Sequence, residues 1–223
     1  MISPDPIWGI FSEISSETCL EAAEAADVLA ENDIAQCAYS AEYCAALSEN
    51  AVKSGVKVKI HVKVDTGMNR IGFPVDDEAV ETVRRIRTLP GVEVEGIFTH
   101  FARADEEDKT YAYEQLRLFQ DFIRRVEKDA DRIPIHHCAN SAASMEMPEA
   151  FMDMVRLGIA MYGLYPSDEV SHEIELTPAL ELKSQVVYVK DVEMGEGISY
   201  NHTRILTEDK KVATIPVGYG DGY

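Results

Sequence analysis

Val56-Lys-Val-Lys-Ile-His-Val-Lys-Val64, running directly into Asp65-Thr-Gly-Met-Asn-Arg-Ile-Gly72, decides how the rest of the chain is read. The alternation is unbroken, so a strand here puts five aliphatic side chains on one face and Lys57, Lys59, His61 and Lys63 on the other. In an antiparallel sheet the polar face would meet solvent. In a closed β/α barrel it would point inward, where basic groups need partners or a ligand.

The flanking sequence favours β/α units. Residues 17–31 are rich in Ala, Leu and Glu and read as a helix; the short apolar run 34–39 reads as a strand and 41–53 as a second helix. Beyond the alternating strand, 76–89 reads as a helix stopped by Pro90-Gly91, 92–99 as a strand and 109–128 as a long amphipathic helix, with strands at 133–137 and 154–157. Helix and strand periods in alternation are the pattern of a parallel sheet. After about residue 176 the character changes: 182–189 and 211–217 are strand-like, Gly195-Glu-Gly197 lies between them, and no helical period is present. The expected organisation is a β/α domain over 1–175 and the start of a β-rich domain over 176–223. The series begins partway and ends just after a strand-like run, so the expectation is a piece cut at both ends.

A net charge of −19 repels polyphosphate backbones and anionic membranes, which argues against nucleic-acid and membrane partners. It does not exclude a small anion, because local Arg, Lys and backbone N–H groups outweigh a distant, salt-screened charge. Cys19, Cys37, Cys44 and Cys138 form no C-x-x-C pair, so buried thiols, no disulfide framework and no metal site are expected. With 46% apolar residues, no signal-peptide pattern and no long apolar run, the expected setting is cytoplasmic.

Several residues stand where chemistry could occur, each with a plainer reading beside it. Arg70 follows the C-terminal end of the alternating strand, the end where β/α barrels keep their active sites. Its planar fork suits a carboxylate or a phenolate, or a surface acid. Lys63 shares parity with His61 and is either inward-facing or a solvated strand lysine. His100 closes the next strand and is structural or catalytic. Ser141 offers a hydroxyl to a phosphate or caps the helix after it. Near Arg156, Gly158 would let a ligand approach backbone N–H groups. Tyr200 and Tyr219 stand near turns of the β-rich part, where tyrosines usually serve packing.

Taken in order, Val62-Lys-Val-Asp-Thr-Gly-Met-Asn-Arg-Ile-Gly-Phe73, Thr99-His-Phe-Ala102, His137-Cys-Ala-Asn-Ser141, Val155-Arg-Leu-Gly-Ile-Ala-Met-Tyr-Gly163, Gly197-Ile-Ser-Tyr-Asn-His-Thr203 and Pro216-Val-Gly-Tyr-Gly-Asp-Gly222 resemble alanine racemases over nearly the whole chain. The resemblance implies an α/β fold, here an incomplete (β/α)8 TIM-type barrel followed by part of a mostly-β C-terminal domain. It implies a bacterial, pyridoxal 5'-phosphate-dependent isomerase that interconverts L- and D-alanine for D-alanine biosynthesis and peptidoglycan synthesis, in a homodimer whose sites draw on both subunits.

By the same resemblance, Arg156 meets the cofactor's pyridine nitrogen and, being unable to release a proton readily, leaves that nitrogen unprotonated. Ser141, the backbone of Gly158 and Ile159, and the Tyr219 hydroxyl form the phosphate cradle. Arg70 lies near the cofactor phenolate and the substrate carboxylate, oriented by Lys63, which matches a lysine carbamylated in many members. His100 bonds to the arginine beside the pyridine. Tyr200 is the catalytic base for the L-enantiomer, acting in the partner subunit's site. The opposed base is the lysine that carries the cofactor, within an Ala-x-Ala-Tyr-Gly-like segment that this sequence does not contain. The chain alone is therefore expected to be inactive. The alternatives are a serine or broad-specificity racemase of the same fold, a non-catalytic cofactor-binding fragment, and an unrelated sugar- or phosphate-binding β/α barrel.

Overall fold

The computed structural model describes residues 23–222, which divide into two compact units on either side of Thr177 and Pro178. In the first, α1 (Ala26–Glu31), β1 (Gln36–Ala38), α2 (Ala41–Lys53), β2 (Val58–Lys63), α3 (Asp77–Ile86), β3 (Val92–Phe98), α4 (Thr110–Glu127), β4 (Ile135–His137) and α5 (Ser141–Glu146) follow in turn. The expected helix over 17–31 is described from its C-terminal half; residues 17–22 lie outside the described part.

The four strands form one parallel sheet in the order β1-β2-β3-β4. This resolves the two readings of the alternating segment. Val58, Ile60 and Val62 are fully buried on the face covered by helices, whereas the opposite face carries paired basic groups. Lys59 bonds to Asp33 at 2.7 Å and approaches Glu95 at 3.4 Å. Lys63 is only 2% exposed, so the solvated-lysine reading is overturned: a parallel sheet has no free face at this position.

The helices form where sequence places both a cap and an apolar stripe. Ser40 accepts the Tyr43 N–H at the start of α2, and Tyr43, Cys44, Leu47 and Ala51 then recur at helical spacing into the core. Asp76 does the same for α3 through the Ala79 N–H at 2.7 Å, ahead of buried Val80, Val83 and Ile86. Along α4, Ala112, Leu116, Phe119, Ile123 and Val126 make the stripe.

One irregularity redirects the sheet. Ile60 pairs with Val94 but His61 pairs with Gly96, so Glu95 is an extra residue on β3. The bulge changes parity: Val92 and Ile97 both enter the helix-covered core, while Phe98 turns to the opposite face and stacks on His137. Gly96 is required there because a Cβ would stand 2.4 Å from His61 Nδ1.

Two expected strands differ. Residues 154–157 form a single bridge, Met154 to His137, rather than a strand. Their backbone meets β4 only where Asp153 N–H donates to His136 and Arg156 N–H to Ala139, and Val155 and Leu157 remain exposed. In the second unit, 182–187 are not strand; β5 (Tyr188–Val192) pairs antiparallel with β8 (Lys210–Thr214), and β6 (Gly197–Ile198) with β7 (Arg204–Ile205). Hydropathy marked the apolar run, but the pairing register with Lys210–Thr214 sets where the ladder begins.

Replacing Asp76 with Ala should cost about 1 kcal/mol in urea denaturation, the usual loss of a helix N-cap. Gly96→Ala should cost about 1–3 kcal/mol by overpacking against the His61 ring, read by the same method; a neutral result would show that the ring has room to move.

Candidate active site

The C-terminal ends of β2, β3 and β4 bring together residues far apart in sequence. After β2, the Asp65 carboxylate accepts the N–H groups of Gly67 and Asn69, fixing a loop in which Asn69 has a left-handed φ of 54° and Gly67 a φ of 132°. Arg70 on this loop is exposed and forms no ion pair among the described residues, so its surface-acid reading is not realised. Its charge faces both Lys63 and His100.

Lys63 donates to the Val64 carbonyl at 2.8 Å, and its ammonium lies 5.8 Å from the Phe98 ring centre. Burial pushes its pKa below the ordinary lysine value, partly opposed by Asp65.

Arg156 is the hub. Its Nη2 donates to the carbonyls of Thr99 at 2.8 Å and Cys138 at 3.2 Å, and lies 3.3 Å from His100 Nδ1; its Nη1 lies 2.7 Å from His137 Nδ1. The guanidinium also sits 5.3 Å from the Phe98 ring centre. Burial, reinforced by Arg156, brings His100 down to about 4 and His137 to about 3. Both rings are therefore neutral near pH 7.

Ser141 does not cap α5; Asn140 does, by accepting the Ala143 N–H at 3.1 Å. The Ser141 hydroxyl is instead turned to the segment after Arg156, accepting the N–H groups of Gly158 at 2.8 Å and Ala160 at 3.3 Å. Two backbone donors meet at one buried oxygen that keeps its own proton to donate, an arrangement suited to an anion. A Cβ on Gly158 would come within 3.6 Å of that oxygen, narrowing the cradle without clashing. Ile159 lies between the two donors. Ser141, Gly158, Ile159, Arg156, His100 and Met68 line one cavity of about 340 Å³, with Asp105 as its acidic lining residue.

Tyr200 and Tyr219 belong to the second unit and are 89% and 95% exposed. Tyr200 lies in a tight loop in which Ser199, Asn201 and His202 all have left-handed φ. Sequence reading missed His61, Glu95 and His137 as members of the Arg156 network; the Glu95-Gly96 pair within a strand was the available signal of a bulge. No group of three metal-ligating side chains occurs among the described residues, and none of their helices is long and apolar enough to cross a membrane.

Comparison with known proteins agrees with this geometry. The family model for the alanine racemase N-terminal domain matches residues 13–166, and that for the C-terminal domain matches residues 179–223. The alanine racemase of Clostridium perfringens (strain SM101 / Type A) is 47% identical over 199 residues, covering 89% of this chain and 52% of the relative. Among solved structures, the alanine racemase of Clostridium difficile 630 superposes with a TM-score of 0.76 at 40% identity, over 90% of this chain and 53% of that one. A histidine racemase from Leuconostoc mesenteroides subsp. sake NBRC 102480 superposes with a TM-score of 0.71 at 31% identity, over 90% of this chain and 54% of that one. The chain thus spans about half the length of the curated relatives it matches. Its parallel sheet is part of the α/β barrel domain of that fold, its paired β-ribbons part of the β domain, and the chain belongs to the alanine racemase family.

Proposed function

We propose that this chain provides the cofactor wall, and one of two proton-transfer groups, of a pyridoxal 5'-phosphate-dependent racemase. The reaction is the interconversion of L- and D-alanine for peptidoglycan synthesis, in the cytoplasm, by a homodimer in the complete protein. The observation that carries the reading is one cavity lined by both the Arg156 guanidinium and Ser141, whose hydroxyl oxygen accepts two backbone N–H groups and keeps its own proton to donate, in a chain of this family.

The residues present fit the cofactor at two ends: the Ser141 cradle suits a phosphate, and a permanently protonated guanidinium suits a ring nitrogen that must accept a hydrogen bond. When bound, the cofactor supplies a carbonyl for the amino group and an electron-withdrawing ring that acidifies the substrate Cα–H. Because Arg156 donates without giving up its proton, it would leave a bound ring nitrogen unprotonated and so would favour simple return of the proton to Cα. His100, held neutral, positions Arg156 without adding a second charge.

In the same reading, Arg70 pairs with the substrate carboxylate and with the cofactor phenolate. Lys63, its amine made easier to neutralise by burial, would orient Arg70 once the neutral Nζ adds dissolved carbon dioxide and releases a proton to solvent, giving a carbamate. The exposed Tyr200 hydroxyl moves the Cα proton on the L-face in a partner subunit, and Tyr219 adds its hydroxyl to the phosphate. None of this chain's lysines serves as the covalent anchor or as the opposed base, so it racemises nothing alone.

A second reading, a racemase for another amino acid or for several, serine among them, has its support in the likeness to the Leuconostoc histidine racemase. Stable reduced phosphopyridoxyl adducts of alanine, serine and histidine, compared on the same chain, separate the two readings. Tightest binding of the alanine adduct supports the first.

Titration of the purified chain with pyridoxal 5'-phosphate, followed by fluorescence and with inorganic phosphate as competitor, should show saturable, reversible binding. Ser141→Ala should weaken it about tenfold, roughly one hydrogen bond to a charged group. Absence of saturable binding would overturn the cofactor reading, and production of D-alanine from L-alanine by the chain would overturn its inactivity.

His100 also predicts a pH dependence. Its folded pKa of about 4 lies below the ordinary 6.5, so on acidification the unfolded chain takes up a proton that the folded chain refuses. Stability from this group is complete above about 6.5 and is lost as pH falls toward 4. In His100→Asn, the decline of the denaturation midpoint across that window should be shallower than in the unsubstituted chain.

A further inference from the structure

Behind the cavity wall, a line of side chains continues from Arg156 into the sheet. Arg156 Nη1 meets His137 Nδ1 at 2.7 Å, His137 Nε2 meets His61 Nδ1 at 2.8 Å, and His61 Nε2 meets Glu95 Oε2 at 3.1 Å. Glu95 is the extra residue of the β3 bulge, and Gly96 beside it leaves the space that the His61 ring occupies. The bulge and the glycine thus both serve the placement of this line.

We propose that Glu95 and His61 are positioning residues for Arg156, terminating a one-directional chain of hydrogen bonds that fixes both imidazoles as neutral Nε2–H tautomers and holds the guanidinium against the cavity. The direction follows from donor chemistry. A guanidinium only donates, so His137 Nδ1 must accept, and a neutral His137 then carries its proton on Nε2. That proton is donated to His61 Nδ1, which leaves His61 with its own proton on Nε2, donated to the Glu95 carboxylate. Reversing any link would set donor against donor at Arg156.

The surroundings agree at each step. Burial and the adjacent Arg156 charge bring His137 to about 3. The hydrogen bond from His61 holds Glu95 below its ordinary value, helped by Lys59 at 3.4 Å. Phe98 stacks on His137 with ring planes 3° apart and closes that ring from the side. Arg156 is thereby anchored by an acid two imidazoles away, and among the described residues it forms no ion pair with a carboxylate that would neutralise the charge facing the cavity.

The role toward bound cofactor rests on the function proposed above; the tautomers do not. Long-range 1H–15N spectra of the histidine-labelled chain at neutral pH, assigned by single substitutions, should show His61 and His137 each with one proton, on Nε2. Glu95→Ala removes the final acceptor and should give His61 a mixture of tautomers and weaken pyridoxal 5'-phosphate binding about tenfold. Glu95→Gln keeps an acceptor oxygen without the charge and should restore both readouts. An imidazolium or an Nδ1–H form of either ring in the unsubstituted chain would overturn the proposal, as would a His61 tautomer indifferent to Glu95→Ala. If the tautomers are as stated but the chain does not bind pyridoxal 5'-phosphate, the hydrogen-bond chain stands and the cofactor reading fails.

Discussion

The structure around the cavity depends on how the Arg156 charge is held by carbonyls and imidazoles, with no ion pair to a carboxylate among the described residues. A guanidinium withdrawn from water incurs a desolvation cost that carbonyl dipoles and neutral acceptors must offset. Here the carbonyls of Thr99 and Cys138, two neutral imidazoles and the face of Phe98 share that task. Each comes from the C-terminal end of β3 or β4 or the residues just after it, so the charge is stabilised only where parallel strands end side by side. A direct carboxylate partner would have held Arg156 more strongly, but it would have cancelled the field that the arginine presents to a ligand.

This requirement accounts for the irregularity of β3. With regular alternation, Phe98 would share a face with Val92 and point into the helix-covered core, and Ile97 would point the other way. Inserting Glu95 exchanges the two, so one bulge places an aromatic face against His137 and Arg156, a carboxylate against His61 and an isoleucine in the core. The altered pairing is not a local defect, because both the packing and the polar line need the same shift.

The part of this legible in sequence is the part with a local cause. Strict alternation gave the strand at 56–64 and its two faces; helical periods over 41–53 and 76–89 gave helices whose described bounds lie within a few residues of those expected. Arg70, His100, Ser141 and Arg156 were singled out by their places at or after strand ends, and the resemblance implies roles that spacing left open. The line from Arg156 to Glu95 was not legible, because His61 and His137 are 76 residues apart and meet only when β3 is slipped between their strands. The same non-local logic removes the capping alternative for Ser141: Asn140 precedes it and takes the Ala143 N–H, leaving the serine for a contact seventeen residues onward.

The net charge of −19 looks opposed to a site for an anion, yet the two act over different distances. Surface carboxylates are screened beyond about 8 Å at physiological salt, whereas the groups at the cavity act within hydrogen-bond reach and partly out of water. What decides the local sign is protonation. Burial first, and then the charges of Arg156, Arg70 and Lys63 at His100 and of Arg156 at His137, keep both rings uncharged. Were the histidines charged as well, like charges would crowd the wall and Arg156 would lose its acceptors. Neutral imidazoles let the arginine remain both the positive charge and the oriented donor, so the condition that makes the network foldable also leaves that charge facing the cavity.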